Sequence, residues 1–192
     1  MSKKVVSTKT GINPQTLQYH IASVADGSRK FENVFQSVLR MILGDHSKIE
    51  KVTVNGRSTY DFKVFREGKK HIIGMFDEIN SFVSFVKDAA EGGSSSEMAF
   101  VLIGEPGNGK TYFVDFLSGL YRNFISRPEN RRYSFRFKNL DKLGRYGKIN
   151  MIESQTYEDP MILAMNLGET REESIKYMHE LGVKDVENYF KS

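Results

Sequence analysis

The feature that most constrains this chain is a glycine-rich stretch of eight residues that ends in lysine and threonine. It consists of Gly104, Glu105, Pro106, Gly107, Asn108, Gly109, Lys110 and Thr111. The stretch matches the pattern G-x-x-x-x-G-K-[ST] at every fixed position. An apolar run, 98–103, leads directly into it, and a segment with helical periodicity follows. Because a strand, a glycine-rich loop and a helix in this order form a phosphate-binding site, we predict such a loop here.

The residue types in the stretch fit the chemistry of a nucleoside triphosphate, most simply ATP with Mg²⁺. Glycines allow the backbone N–H groups to turn inward around phosphate oxygens, and the start of the following helix adds partial positive charge. We expect Lys110 to reach the β and γ phosphates and the Thr111 hydroxyl to coordinate Mg²⁺. The simpler alternative is a glycine-rich turn with an incidental lysine.

Hydrophobic periodicity divides the chain into three predicted parts. Residues 1–28 are polar and rich in turn formers, which indicates a loose or partly helical tail. Residues 29–70 should form a lead-in, with an amphipathic helix over 30–43 and a β-hairpin that turns at Asn55-Gly56. Residues 71–192 should form the domain that carries the loop.

The order of a strand, the loop and a helix in residues 71–192 indicates a parallel sheet with flanking helices. Its predicted elements are helices over 75–90, 110–124, 170–180 and 184–190, a fully buried strand over 98–103 and a strand over 130–139. Few strand signals follow residue 140, so we expect an incomplete α/β sheet. Its exposed edge should pair with other chains, which predicts a poorly soluble or partner-dependent protein.

Composition excludes several classes of function. The 192 residues include no cysteine, which excludes disulfides and thiolate metal sites and is compatible with a cytoplasmic location. No run reaches the roughly 18 apolar residues of a membrane span, so no membrane partner is expected. The net charge of +4 is small, although residues 127–138 hold a basic cluster. A nucleic-acid groove is one interpretation of that cluster and a solvated strand edge is the simpler one.

The sequence does not identify catalytic residues. Hydrolysis by this type of loop needs an acidic residue at the end of an apolar strand. Glu169 and Asp141 are the only candidates, and each fits the pattern poorly, because Gly168 interrupts the first run and a merely alternating strand precedes the second. No H-R-D, D-F-G or A-P-E sequence supports a protein-kinase fold. The four histidines lack metal-ligand spacing.

Four stretches together resemble a known family. They are the helix at 31–43, the segment 71–75 with the helix that follows it, the loop at 104–111, and the Glu- and Pro-containing segment 153–166. In this order they resemble the N-terminal AAA-type ATPase domain of the PrkA family, the proteins called serine protein kinases PrkA. The resemblance covers roughly residues 30–192. The loop is common to many families, so the other three stretches carry its specificity.

The resemblance implies an AAA-type P-loop NTPase with a three-layer αβα core, preceded by a helical segment and a small β-hairpin. ATP would lie between this core and a neighbouring subunit. The resemblance also implies that Ile72, Ile73 and Gly74 lie near the adenine. The alternative is that Ile72 and Ile73 only pack on the core. Some family members are treated as kinases and others as ATPases acting on proteins.

Family members are several times longer than this chain and contain further catalytic elements. We therefore expect a partial domain that binds Mg-ATP, with hydrolysis or phosphotransfer dependent on a missing C-terminal region or on other subunits. Two other functions remain open. One is a small P-loop phosphotransferase acting on a small molecule or nucleotide, in which residues 127–138 would hold the acceptor. The other is a nucleic-acid motor or loader, against which the small net charge argues.

Overall fold

A computed structural model describes residues 15–44, 49–145, 147–166, 168–184 and 186. The chain divides into two compact units. The central unit is Glu32–Ser126, and the terminal unit combines the residues up to Phe31 with those from Arg127 onward. This division differs from the boundaries predicted from the sequence, because the lead-in and the glycine-rich loop share one unit.

Six helices and four strands make up the described part of the chain. The helices are α1 (Leu17–Ala25), α2 (Val34–Leu43), α3 (Phe76–Ala90), α4 (Lys110–Ser126), α5 (Met161–Asn166) and α6 (Gly168–Glu180). The strands are β1 (Ile49–Val54), β2 (Arg57–Phe62), β3 (Arg136–Lys138) and β4 (Met151–Glu153). Two antiparallel pairs, β1–β2 and β3–β4, form the sheets. The protein is therefore of mixed α/β type.

The first part of the central unit follows local sequence signals. Asn55 and Gly56 have φ angles of 49° and 77°, so the predicted hairpin turn between β1 and β2 is confirmed. The predicted helix over 30–43 begins at Val34, since Asn33 and Gln36 form a reciprocal capping box at its start.

Aromatic side chains dominate the core of the central unit. The fully buried Phe65 comes from the turn after β2 and the fully buried Phe113 from α4, and their rings stack with centroids 6.2 Å apart. Phe82 of α3 meets Phe113 edge-on at 5.5 Å. Three further apolar side chains of α3 are also buried, namely Ile79, Val83 and Val86. This aromatic cluster joins the helices to the end of the hairpin.

The prediction of a fully buried strand over 98–103 is wrong. Phe100 and Leu102 pack against the core, but Met98, Val101 and Ile103 are 62%, 68% and 91% exposed. Burial on both faces needs a packed layer on each side of a strand, whereas only Phe100 and Leu102 of this segment meet the core. The segment 98–103 belongs to neither sheet, and the described residues contain no parallel sheet.

The terminal unit has its own core. Ile21 and Val24 of α1 are buried against Met161 of α5 and Met178 of α6. The tail predicted as loose or partly helical thus contains a packed helix in its described part. Its neighbour α6 begins at Gly168, ahead of the predicted start at residue 170. Most of the helix predicted over 184–190 lies outside the described residues.

A series of hydrogen bonds through the buried His20 connects α1 to the segment before α5. His20 is 3% exposed, its Nδ1 lies 2.9 Å from an Arg29 nitrogen, and its Nε2 lies 2.9 Å from the Asp159 carboxylate. Because arginine only donates, Nδ1 accepts and Nε2–H donates to Asp159. The Arg29 guanidinium also lies 3.8 Å from the centre of the Tyr133 ring. His20 is therefore a satisfied core residue.

The strand predicted over 130–139 is shorter in the structure. Only Arg136–Lys138 forms β3, which pairs with β4 at 151–153, in the part of the chain after residue 140 where the sequence gives few strand signals. Strand length is set by the partner, and only three residues of β4 are available to pair. None of the helices in the described ranges combines the length and apolarity needed to cross a membrane.

Candidate phosphate-binding loop

The glycine-rich loop lies at the surface of the central unit and ends where α4 begins, at Lys110. Residues 104–108 are all exposed. Gly107 and Gly109 have φ angles of 89° and 73°, in the left-handed region that favours glycine. Gly104 does not have a positive φ, and a Cβ added there would meet the Lys110 Nζ at an ordinary 3.6 Å. The predicted conformational need for glycine therefore holds at two of the three positions.

The Lys110 side chain folds back over the loop. Its Nζ donates to the carbonyl oxygens of Gly104 and Glu105 at 2.7 and 2.6 Å. Both hydrogen bonds are exposed, so an anion oxygen could replace a carbonyl without opening a buried contact. Thr111 follows in the first turn of α4 and is exposed. The positive charge and the hydroxyl therefore lie together at the helix start.

Helix α4 is firmly anchored behind the loop. The Phe113 N–H donates to the Gly109 carbonyl at 2.8 Å, and the Phe113 ring is 1% exposed in the aromatic core. Phe116, one turn further, is 9% exposed. The N–H groups of residues 110–112 precede this bond, in the first turn of α4. Backbone N–H donors in the first turn have no acceptor within the helix. The loop is therefore attached to a fixed helix start that presents N–H donors.

The segment 71–75 lies against the loop and the first turn of α4. The Tyr112 hydroxyl donates to the His71 carbonyl at 3.2 Å, and a Cβ built on Gly109 would lie 3.8 Å from the Met75 sulfur. The structure thus brings together two stretches that the sequence analysis assigned to one nucleotide site. Contact of this segment with adenine stays a prediction.

The three residues predicted near the adenine differ in their surroundings. Ile72 is 2% exposed and belongs to the core, which is the alternative interpretation given for it above. Ile73 is 84% exposed and does not pack on the core. Gly74 has a φ of 71°, a conformation that glycine adopts without strain. Of the two isoleucines, only Ile73 presents its side chain to solvent.

Comparison with known proteins assigns no family to this arrangement. No family model, no curated protein and no solved structure matches the chain. The resemblance to the PrkA family therefore rests on the residues of the four stretches described above.

The weak candidates for a hydrolytic acid both belong to the terminal unit. Asp141 lies in an exposed turn, Leu140–Leu143, and Glu169 lies in α6. The basic cluster at 127–138 is in the same unit. Its Arg136 side chain is only 16% exposed and pairs with Glu153 across the β3–β4 sheet at 3.3 Å. One cation of the cluster thus pairs with a carboxylate within the β3–β4 sheet.

Two residues around the site were not predicted from the sequence: Arg66 and Tyr112. Tyr112 directly follows the motif, yet nothing in the pattern indicates its bond to residue 71. Arg66 follows the hairpin and bonds to carbonyls in the segment 71–75. An isolated arginine between predicted elements gives no signal of such a contact.

Proposed function

We propose that this chain is the ATP-binding, AAA-type domain of a PrkA-like protein, and that it binds Mg-ATP on residues 104–111. The observation that carries the proposal is the position of the Lys110 ammonium, at the exposed mouth of a loop whose Gly107 and Gly109 have left-handed backbone conformations. The loop leads into the N-terminus of a helix of 17 residues, where partial positive charge favours an anion.

Each part of the loop has a distinct role in this proposal. Backbone N–H groups between Gly107 and Thr111 donate to phosphate oxygens, and Lys110 exchanges its loop carbonyls for the β and γ phosphates. The Thr111 hydroxyl supplies one oxygen ligand to Mg²⁺, and the ion neutralises charge on the phosphates. The residues present fit this set of ligands, since they offer donors to the anion and a hard oxygen to the metal.

The assignment of a three-layer αβα core with a parallel sheet belongs to the same proposal. In an αβα core of this type, the strand before the loop lies within a parallel sheet. Residues 98–103 run directly into the loop, turn Phe100 and Leu102 toward the helices, and expose the alternate side chains. The proposed core therefore requires further strands and a second helical layer over the exposed face of this segment, which the described residues do not provide.

We also propose that ATP binding does not require hydrolysis by this chain. Hydrolysis on such a loop needs an acidic residue at the end of an apolar strand, and neither Asp141 nor Glu169 fits that pattern. Binding and turnover should therefore be separable, and ATP should bind with little release of inorganic phosphate.

Calorimetric titration of the full chain with Mg-ATP tests the proposal. Lys110→Ala should weaken binding by about 10- to 100-fold, because a hydrogen bond to a charged group contributes roughly 1.5–3 kcal/mol. Lys87→Ala is the matched control, since Lys87 is an exposed lysine on α3 whose ion pair with Glu91 is long, at 4.0 Å. Wild-type affinity in the Lys110 variant, or no uptake of ATP by the folded wild-type chain, would show that the proposal is wrong.

A further inference from the structure

The β3–β4 sheet of the terminal unit has one apolar face, formed by Phe135, Phe137 and Ile152 and called here the Phe face. Side chains alternate along a strand, so the two phenylalanines share a face, and strand pairing places Ile152 opposite Phe137. The two rings meet with centroids 5.6 Å apart and planes inclined by 70°. They therefore form two separate aromatic surfaces rather than one plane.

The Phe face lies outside both cores. Both phenylalanines are only partly buried, and Ile152 is 44% exposed. Among the described residues, none of the three packs against either core cluster. Among the described elements, β3 has extensive contact only with β4. Packing of the protein interior therefore does not account for two aromatic rings at this position.

The segment that carries the two rings is also strongly basic. Residues 127–142 contain six Lys or Arg and two Asp or Glu, a net charge of +4 that equals the net charge of the whole chain. Arg127, Lys138 and Lys142 are exposed, whereas Arg136 pairs with Glu153 on the opposite face of the sheet. The small total charge thus conceals a local excess of positive charge around the Phe face.

Aromatic rings together with cations are the combination that binds single-stranded nucleic acid. Unpaired bases stack on aromatic rings, including rings on the face of a sheet, and Lys and Arg attract the phosphates. Lys138 directly follows the second ring, and Lys142 lies in the turn after β3. The aromatic pair favours bases over lipid, since stacking uses the flat ring whereas lipid tails match any apolar side chain.

We propose that the Phe face and the cations beside it form a binding site for single-stranded nucleic acid. Phe135 and Phe137 each stack on a base, and Lys138 and Lys142 bind phosphates. All of these residues belong to the terminal unit. The inference therefore does not depend on nucleotide binding at residues 104–111, and either proposal can fail without the other.

Fluorescence anisotropy of the full chain with two labelled dodecamers, oligouridylate and oligodeoxythymidylate, tests the site. At least one should bind at about 50 mM salt and weaken as the salt concentration rises. A difference between them shows whether the ribose 2′-hydroxyl contributes. Phe137→Ala and Phe137→Leu should each weaken binding about tenfold, because leucine keeps apolar bulk but has no ring for stacking. Tyr60→Ala is the matched control, since Tyr60 is an aromatic residue of β2 that is 52% exposed.

Lys142→Ala separates the phosphate contacts from stacking. It should lower the slope of log affinity against log salt concentration by about 0.7 if it removes one phosphate contact to a single strand. Lys51→Ala, an exposed lysine on β1, is its control and should leave the slope unchanged. Should Phe137→Ala fail to fold, as judged by circular dichroism, Phe137→Leu and Lys142→Ala still decide the matter.

Two further ligands test the alternatives. A duplex of the same length stacks its bases internally and should bind less tightly at equal salt. Anionic phospholipid vesicles should show no binding that depends on Phe137. The inference is overturned if neither dodecamer binds, if Phe137→Leu binds as tightly as the wild type, or if the duplex binds equally well. Binding to vesicles that depends on Phe137, without binding to the dodecamers, would also overturn it and assign the face to a membrane surface.

Discussion

Replacing Phe113 tests whether α4, and with it the loop, is anchored by the aromatic core. Phe113 is 1% exposed and contacts two rings, with centroid distances of 6.2 Å to Phe65 and 5.5 Å to Phe82. Removal of a buried phenylalanine side chain costs about 3–5 kcal/mol, including the cavity left behind. Each ring pair accounts for roughly 0.5–1.5 kcal/mol of the loss. Phe113→Ala should therefore remove a large share of the 5–15 kcal/mol that is typical of a whole domain.

Urea denaturation followed by circular dichroism measures this loss. With a slope of about 2 kcal/mol per molar urea, the midpoint of Phe113→Ala should fall by roughly 2 M. Phe113→Leu keeps an apolar side chain and should show a smaller shift. Val114→Ala is the matched control, because the neighbouring side chain is 51% exposed and its loss should cost less than about 0.5 kcal/mol. Equal midpoints for Phe113→Ala and Val114→Ala would refute the packing described for α4.

Three further perturbations have defined outcomes. Gly56→Ala should destabilise the hairpin by about 1–2 kcal/mol, because Gly56 has a φ of 77°. Gly119→Ala should stabilise the protein by about 0.5–1 kcal/mol, because Gly119 lies inside α4 with open space at its Cβ. Shifts of the melting temperature in opposite directions would show this pair of effects. Val101→Lys should reduce self-association in sedimentation, because Val101 is 68% exposed on a segment that belongs to neither sheet. Unchanged sedimentation would count against pairing of this segment with another chain. Hydrogen bonds from the Ser95 hydroxyl and N–H lower the pKa of Asp88. The contribution of Asp88 to stability is therefore present above its pKa in the unfolded chain and is lost as the pH falls through its pKa in the folded protein. An NMR titration midpoint of Asp88 below that of the urea-unfolded chain would establish the lowered pKa.

Local structure was predictable where neighbours in sequence determine it. The turn at Asn55-Gly56 depends on two residues that tolerate positive φ, and the start of α4 at Lys110 depends on a motif that is contiguous in sequence. The buried face of α3 follows from side-chain spacing alone. In each of these cases the physical cause lies within one or two helical turns of the residues concerned.

Pairing between distant segments was not predictable in the same way. An apolar run such as 98–103 has the same appearance whether it lies between two strands or against one layer of helices. Its burial depends on partners elsewhere in the chain, which its own residues do not specify. The same reason applies to β3, whose length depends on a short partner at 151–153.

The candidate site was predictable only in part, for the same reason. The loop at 104–111 was predictable because the residues that would bind phosphate are consecutive in the sequence. The support from Arg66 and Tyr112 was not, since Tyr112 meets a carbonyl 41 residues away and periodicity gives no information about such contacts. Ile72 and Ile73 are adjacent, yet one is buried and the other exposed. Their different environments arise from a backbone held by residues outside the segment.

The terminal unit is discontinuous in sequence, and this has a consequence for synthesis on the ribosome. Helix α1 is made first, but the side chains that cover Ile21 and Val24 come from α5 and α6. Every residue of the central unit emerges before α5 and α6 do. The central unit is therefore complete while α1 still lacks the side chains of α5 and α6 that bury its apolar face. A nascent chain that stalls after Ser126 would therefore display the uncovered apolar face of α1, which is the kind of surface that chaperones recognise.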